Sequence, residues 1–304
     1  MTQVSNSYRL RSSAFERPEE NDQVPPKRIV FLSVEGDETE RNYFTLLDQE
    51  LDASVIHIEV LRHKHGDGLS DPTHAVELLQ ECFALRQGQL LPPDMEDAIK
   101  GITSQYSEAD IQAYLNQPDS LDEAVRRGIS TELLKLGIDM EYRRYLSDYH
   151  TEPDTGTDSD TPQDIFAVVL DRDCDSHSRQ QLEECIKHCR EKGFGFYLSN
   201  PCFEFWLLLH LCDVMEEFDE GQQQQLLENP KVSYQHTMVS REVSERAHHK
   251  KTIKAGHFRN KYLPNIRTAI RRSKDFATQL PELMDNLGTN VPELLEEIGF
   301  SPSP

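Results

Sequence analysis

The sequence predicts an α/β protein with a parallel sheet flanked by helices. Four short apolar segments have the length and the Val, Ile and Phe content of buried strands. Helical periodicity follows most of these segments, as expected when crossover helices connect parallel strands. A long polar stretch, residues 62–164, interrupts the alternation. The sheet is therefore expected to consist of two halves that are joined by an insertion.

The first half contains a strand, a helix and a second strand. RIVFLSV, residues 28–34, is an uninterrupted apolar run, which is typical of a strand buried on both faces. In the helix that follows, Asp37 and Glu40 have the spacing of a capping box, and apolar residues recur on one face. SVIHIEVL, residues 54–61, is predicted to be the second strand.

The insertion is predicted to be mainly helical. Helices are expected at residues 74–86, 107–116 and 131–146, where apolar residues recur at helical spacing. The segment HTEPDTGTDSDTPQD, residues 150–164, has no core-forming side chains. It is therefore predicted to be a flexible acidic loop.

The second half repeats the alternation. Strands are predicted at residues 165–170 and 194–199, with a helix at 177–192 between them. The next helix carries FEFWLLLHL and is apolar almost all round, so it is expected to be deeply buried. Asn200 is predicted to cap this helix, with Pro201 in its first turn.

These elements define the predicted domain organisation. The segments are a disordered leader at 1–26, the first half of the sheet domain at 27–62, a helical insertion with the acidic loop at 63–164, the second half with a basic segment at 165–274, and a helical C-terminal tail at 275–304.

Composition limits the function. The chain has 304 residues and a formal net charge of −22, which argues against non-specific binding of nucleic acid. No apolar run approaches the roughly 20 residues of a membrane helix, and the N-terminus lacks the apolar core of a signal peptide. We therefore expect a cytoplasmic protein with reduced cysteines and no membrane association.

Residues 241–274 depart from the acidic average and are strongly basic. They could form a solvated helical face or a phosphate-contacting surface, and composition alone does not choose between these interpretations. The candidate nucleic-acid contacts are Arg241, Arg246, Lys250, Lys251, Lys254, Arg259 and Lys261.

Acidic residues directly follow two of the strands. Glu35 comes after the first strand, and Asp171, Asp173 and Asp175 come after the third. The carboxyl ends of parallel strands share one edge, so these carboxylates would converge and repel one another if the two strands are neighbours. Mg²⁺ or Mn²⁺ would relieve the repulsion, because both prefer hard oxygen ligands. Helix capping is the alternative for Glu40 and Asp175.

The buried helix that follows the last strand carries further candidates. Glu204 lies in its first turn, near the same edge, and could bind the metal ion or support its ligands. Asn200 is a second candidate for a supporting role. Phe203 and Trp206 are predicted to pack in the core, and His210 is predicted to be a hydrogen-bonded core histidine.

Three motifs resemble the RloB-like proteins, whose domain is of the Toprim type found in topoisomerases, bacterial primases and OLD-type nucleases. They are EGDETERNYF, DRDCD and SNPCFEFWLLLH. The resemblance covers residues 28–62 and 164–212. It implies a Toprim fold, metal-dependent cleavage of phosphodiester bonds, and a bacterial anti-phage (abortive infection) role beside RloA, an ABC/SMC-type ATPase.

The resemblance also implies roles for individual residues. The implied metal ligands are Glu35, Glu40, Asp171, Asp173 and Asp175. Glu35, Asp171 and Asp173 would be catalytic, with Glu35 as an acid/base or a metal ligand. OLD-type nucleases also use a basic residue late in the domain, for which Lys250, Lys251 and Lys254 are candidates here.

The leading hypothesis is a Mg²⁺- or Mn²⁺-dependent nuclease acting on DNA or RNA, including tRNA, with a partner ATPase. A homo-oligomer is also considered. Two alternatives remain open. A phosphatase of the haloacid-dehalogenase type would use Asp171 as its covalent nucleophile. A regulatory or sensor subunit of an ABC-type ATPase would use the carboxylates to bind a structural metal ion.

Overall fold

A computed structural model of the chain contains a five-stranded sheet with the strand order β2-β1-β3-β4-β5. The strands are β1 (Arg28–Val34), β2 (Ile56–Val60), β3 (Ile165–Asp171), β4 (Gly195–Asn200) and β5 (Gly288–Thr289). The first four strands run parallel, and β5 pairs with β4 in the antiparallel sense. The predicted α/β fold class is confirmed.

The structure describes residues 28–36, 38–62, 72–87, 102, 104–136, 138–147, 163–172, 177–248 and 252–300. The predicted leader at 1–26 and most of the predicted acidic loop lie outside these residues. The described residues belong to two compact units, one within residues 26–79 and 159–304 and the other within residues 80–158. The predicted domain boundaries stay predictions.

Helices account for most of the remaining described residues. In chain order they are α1 (Thr39–Asp48), α2 (Pro72–Arg86), α3 (Glu108–Asn116), α4 (Glu123–Lys135), α5 (Met140–Ser147), α6 (Arg179–Lys192), α7 (Phe203–Leu211), α8 (Val214–Glu217), α9 (Glu220–Glu228), α10 (Met238–Ala247), α11 (Ala255–His257), α12 (Ile266–Ser273), α13 (Leu280–Leu283) and α14 (Val291–Glu297). A π turn (Phe258–Tyr262) and a 3₁₀ turn (Leu263–Asn265) join α11 to α12.

Side chains on both faces of β1 are buried, which explains its continuous apolar sequence. Val30 and Leu32 lie on one face, in the hydrophobic cluster that also contains the side chains of α7. Ile29 and Phe31 alternate with them along the strand and are equally buried. Phe31 stacks on Phe166 of β3, with 5.0 Å between ring centroids.

Helix α7 is buried on all sides, as its composition predicts. Its His210 donates a hydrogen bond from Nδ1 to the Trp206 carbonyl (2.9 Å), and its Nε2 accepts one from the Tyr43 hydroxyl (3.2 Å). Burial lowers the pKa of His210 to about 3, so the ring is neutral at physiological pH. The prediction of a hydrogen-bonded core histidine is confirmed.

In the unit within residues 80–158, the prediction of one helix at residues 131–146 is wrong. Two helices, α4 and α5, cover this region and extend beyond it at both ends. The break coincides with Gly137 in the sequence, a residue that favours helix ends. After it, the Asp139 carboxylate accepts a hydrogen bond from the Tyr142 N–H (3.0 Å), which stabilises the start of α5.

Residues 275–304 also contain more than the predicted helices. Strand β5 lies there, and its Thr289 hydroxyl hydrogen-bonds that of Ser199 on β4 (2.9 Å). Gly288 is required at this position, because a β-carbon there would collide with the Ala277 carbonyl. Two residues are too few to produce the alternation that identifies strands in a sequence.

Two further predictions from composition can be compared with the fold. Within the residues that the structure describes, no helix combines the length and the apolar character needed to cross a membrane. The described cysteines are buried thiols, namely Cys82, Cys185, Cys189, Cys202 and Cys212.

His57 on the outer strand β2 lies between two carboxylates. Its Nδ1 is 3.0 Å from Asp48 Oδ1, and its Nε2 is 3.5 Å from Glu59 Oε2. Burial alone would lower the pKa of His57. The hydrogen bonds and negative charges of Asp48 and Glu59 outweigh this effect and raise the pKa to about 9.

This raised pKa predicts a pH-dependent stability. The stabilisation from protonated His57 is complete below the unfolded-state pKa of about 6.5 and is lost as the pH rises through the folded-state value. We expect the free energy of unfolding to fall by up to about 3 kcal/mol across that interval. Chemical denaturation at a series of pH values would measure the change. His57→Gln should flatten the profile, whereas the control His74→Gln, at an exposed position, should not.

Candidate functional site

Glu35 and Asp171 meet where the connections of the sheet change direction. From β1 the chain passes through α1 to β2 on one side, and from β3 it passes through α6 to β4 on the other. In open α/β sheets, ligands bind at the carboxyl ends of the strands at such a point. β1 and β3 are neighbours, and the Glu35 N–H extends their ladder by donating to the Val169 carbonyl (3.2 Å).

The Glu35 carboxylate is held by two hydrogen bonds. Its Oε2 accepts from the backbone N–H of Asp171 (3.0 Å), and its Oε1 accepts from Nε2 of His177 (2.9 Å). His177 is buried, so this imidazole has little freedom to move away. A carboxylate has about four lone-pair sites, so these bonds orient Glu35 and leave capacity for a further partner.

Asp171 is the electrostatic centre of the site. Its Oδ1 accepts a hydrogen bond from the Phe203 N–H (2.8 Å). Burial and the nearby carboxylates of Glu40, Glu35 and Glu204 raise the pKa of Asp171 well above its usual value. Three carboxylates, one directly after β1, one in α1 and one in α7, therefore lie within electrostatic range of Asp171 at the end of β3.

Glu40 faces this cluster and does not occupy the capping position that was predicted for it. Helix α1 begins at Thr39 with Glu38 as its N-cap, so Glu40 is the second helical residue, whereas a capping box requires the third. Asp37, the other member of that predicted box, lies outside the described residues. The Glu40 carboxylate lies against Gly36, where a β-carbon would collide with its Oε2. The glycine therefore makes room for the acid.

Glu204 approaches the cluster from the first turn of α7. Its charge contributes to the raised pKa of Asp171. Burial, Glu204 and Asp171 together raise the pKa of the Cys202 thiol well above its usual value, so Cys202 is protonated at physiological pH. Cys202 thus lies beside the carboxylates as a neutral group.

The prediction that Asn200 caps α7 is wrong. Asn200 is the last residue of β4 and donates from Nδ2 to the Leu283 carbonyl (2.7 Å). The N-cap of α7 is Cys202, which makes no side-chain capping bond, and the Asp171 carboxylate accepts from the first turn in its place. Asn200 Oδ1 is buried and has no hydrogen-bond partner among the described residues. It is an unused acceptor at the same edge of the sheet.

Two further residues of the site, Arg172 and His177, were not predicted. The buried Arg172 side chain donates to the carbonyls of Met284 and His177 (both 3.0 Å). Its backbone N–H donates to the Ser199 carbonyl (2.8 Å). Arg172 lies inside the DRDCD motif, but that motif was interpreted for its aspartates, and no spacing distinguishes His177. Their role depends on contacts that only the fold creates.

The predicted ligands fall into two groups. Glu35, Glu40 and Asp171 are brought together, whereas Asp173 and Asp175 lie outside the described residues. Within the described part of the chain, no set of three or more His, Cys, Asp and Glu side chains is arranged to enclose a metal ion. The chemistry of the cluster fits a hard divalent cation, since its donors are carboxylates whose mutual repulsion a cation would relieve.

The basic stretch is partly neutralised. Three of its arginines pair with protein carboxylates: Arg241 with Glu242 (3.2 Å), Arg246 with Glu217 (3.0 Å) and Arg259 with Glu50 (2.7 Å). Lys254 is exposed at the start of α11, and Lys261 is half-buried. Lys250 and Lys251 lie outside the described residues. A role in binding nucleic acid stays a prediction for all of these residues.

Asp171→Asn is expected to stabilise the metal-free protein at pH 8. A carboxyl group with a raised folded-state pKa loses stability as the pH rises through that value, whereas an amide carries no charge and can still accept from the Phe203 N–H. The free energy of unfolding in EDTA should increase more at pH 8 than at pH 5. Asp119→Asn, on the surface of the second unit, is the control. A variant that is destabilised equally at both pH values would contradict the assigned repulsion.

Comparison with known proteins identifies the family. No curated protein and no solved structure matches the chain significantly. The family model described as RloB-like protein matches residues 30–298, from β1 into the end of the last helix. The match includes the residues of the carboxylate cluster, and the resemblance inferred from the three sequence motifs is confirmed. The chain belongs to the RloB-like protein family.

Proposed function

We propose that the protein is a metal-dependent nuclease that cleaves phosphodiester bonds in DNA or RNA. The observation that carries this proposal is the convergence of Glu35, Glu40, Asp171 and Glu204 around one buried edge at the switch point of the sheet. Uncompensated carboxylates are costly there, and such arrangements concentrate at functional sites. Membership of the RloB-like family supports a role in anti-phage defence beside a partner ATPase.

In this proposal Asp171, Glu40 and Glu204 would hold Mg²⁺ or Mn²⁺, and Asp173 would keep the ligand role that the resemblance implies. The ion would polarise the phosphoryl oxygen and lower the pKa of a water molecule. Glu35, oriented by His177, would bind the ion or accept a proton from the attacking water.

Lys254, exposed at the start of α11, is the lysine assigned to neutralise phosphate charge in this proposal. Its carbonyl accepts from the Phe258 N–H, one helical turn later (3.0 Å). The Phe258 ring packs against Tyr43 (5.3 Å between centroids), which lies one turn after Glu40 in α1. The backbone of Lys254 is therefore connected through Phe258 to the helix that carries one of the proposed ligands. A lysine that contacts the phosphate would stabilise the charge that grows on it.

A non-catalytic regulatory subunit is the second candidate. The observation in its favour is that both acids from the strand ends already have structural roles. Glu35 bonds the Asp171 N–H and His177, and Asp171 bonds the first turn of α7. A metal ion at this edge could then serve the fold alone, while the protein acts through its partner ATPase.

Nuclease activity would separate these candidates. With Mn²⁺ or Mg²⁺, we expect cleavage of plasmid, single-stranded DNA or RNA, tested with and without the partner ATPase. Asp171→Asn and Glu35→Gln should each reduce the rate by about 100-fold or more, because they remove charge at the reacting centre. Glu191→Gln, on the surface of α6, is the matched control and should cleave normally. Full activity in both site variants would refute the proposal. Hydrolysis of p-nitrophenyl phosphate without nuclease activity would favour a phosphatase.

Metal binding by the His177 variants tests the orientation of Glu35. His177→Ala removes the donor to Glu35 and is expected to weaken Mn²⁺ binding by about 10-fold, the usual effect of losing a hydrogen bond to a ligating group. His177→Gln retains an N–H donor and should lose less. Isothermal titration calorimetry would give both affinities without any need for activity.

His210→Gln is the control for these variants, because it also removes a buried imidazole but one that bonds Tyr43 and Trp206. Equal affinities in the wild type and His177→Ala, with Mn²⁺ bound by both, would show that His177 does not position Glu35.

A further inference from the structure

The loop between α9 and α10 exposes an aromatic side chain to an unusual degree. Tyr234 at its tip is 93% exposed, whereas the other exposed large apolar residues of the described chain range from 38% to 51%. Val232, in the same loop, is one of these at 38%. Aromatic side chains carry large apolar surfaces, so an exposed ring on an ordered loop is typical of a binding element.

The loop is held by its own hydrogen bonds. Lys231 and Thr237 form an antiparallel bridge. Between them, the Val232 N–H donates to the His236 carbonyl (2.9 Å), and the Ser233 hydroxyl accepts from the His236 N–H (3.1 Å). The Lys231 ammonium lies 5.9 Å from the centroid of the Tyr234 ring. The Tyr234 ring is therefore exposed on a loop that is stabilised by hydrogen bonds, and the Lys231 ammonium lies near the ring.

The base of the loop is attached to the candidate site. Asn229, in the left-handed conformation at the end of α9 (φ 45°), donates from Nδ2 to Cys202 Sγ (3.6 Å). Its Oδ1 accepts from the Val239 N–H (3.0 Å). The Asn229 side chain therefore connects the two ends of the loop and also attaches them to Cys202. Cys202 directly precedes Phe203, whose N–H donates a hydrogen bond to the Asp171 carboxylate. Five residues span at most about 18 Å. Tyr234 is therefore within that distance of Asn229, whose side chain contacts Cys202 beside the cluster.

The charge around the loop favours nucleic acid as its ligand. Residues 229–241 contain no Asp or Glu, although the chain has 54 acidic residues and a net charge of −22. The formal charges in this stretch are those of Lys231 and Arg241. An aromatic face with an adjacent cation, in a stretch of sequence without Asp or Glu, is typical of the platforms on which single-stranded nucleic acids stack their bases.

We propose that Tyr234 stacks on an unpaired nucleobase of the substrate, while the adjacent phosphates are held towards the carboxylate cluster. This inference rests on the proposed nuclease function and specifies its substrate class. The preferred substrate is a single strand or an unpaired loop, because the bases of a continuous duplex are already stacked on one another. The Lys231 ammonium contacts the phosphate beside the stacked base.

The test is binding of a 12-nucleotide single strand that contains 2-aminopurine, with Mn²⁺ present and with a phosphorothioate backbone that slows cleavage. Stacking on Tyr234 quenches the fluorescence of the base. Tyr234→Ala is expected to weaken binding by about 10-fold and to abolish the quenching. Tyr234→Phe retains the aromatic face and should bind within about twofold of the wild type. Met215→Ala, which truncates another exposed apolar residue, is the matched control.

The outcomes separate this inference from the proposed function. Equal affinities of the wild type and Tyr234→Ala, or no binding of the single strand by either, would overturn it. An equal loss of affinity for a duplex of the same sequence would also overturn it. If Tyr234→Ala binds the single strand as tightly as the wild type but no longer forms a complex with the co-expressed ATPase, the loop would be assigned to binding a protein partner. Cleavage that survives in Asp171→Asn would refute the nuclease proposal but leave the stacking result unaffected.

Discussion

The hydrogen bond from the Asp171 N–H to the Glu35 carboxylate joins two parts of the chain that are 136 residues apart. It forms where β1 and β3 end side by side, so it exists only when the two halves of the sheet have paired correctly. His177 bonds the other oxygen of Glu35, and Asp171 in turn bonds the start of α7. The arrangement of the carboxylates thus depends on this one contact. Correct pairing of β1 with β3 is therefore required before the candidate site can form.

The same groups satisfy structural and chemical demands at once. Asp171 supplies the acceptor that the first turn of α7 lacks locally, yet its surroundings disfavour its charge. Gly36 leaves space for the Glu40 carboxylate instead of a side chain of its own. Such conflicts between local stability and charge are characteristic of functional sites, where natural proteins accept a loss of stability.

The sequence predicted the parts of the fold that have strong local patterns. The continuous apolar runs of β1 and β3 and the uniformly apolar α7 are unambiguous, and Glu35 and Asp171 lie together at one edge of the sheet, as their positions at the strand ends predict. The sequence did not reveal Arg172 and His177, whose importance comes from carbonyls and carboxylates distant in the chain. Nor did it reveal β5 or the true cap of α7, because two paired residues and a remote acceptor leave no periodic pattern.

The adjacency of β1 and β3 has a consequence for how the protein folds. β1 is nearly all buried in the finished sheet, but its neighbour β3 begins more than a hundred residues later in the chain. At ribosomal rates of about 5–20 residues per second, β1 would be made roughly 7 to 27 seconds before β3. During that time only β2 is available to cover one edge of an apolar strand, and contacts so distant in sequence form slowly. Until β3 is made, one edge of β1 stays unpaired, and an exposed apolar strand edge is prone to aggregation.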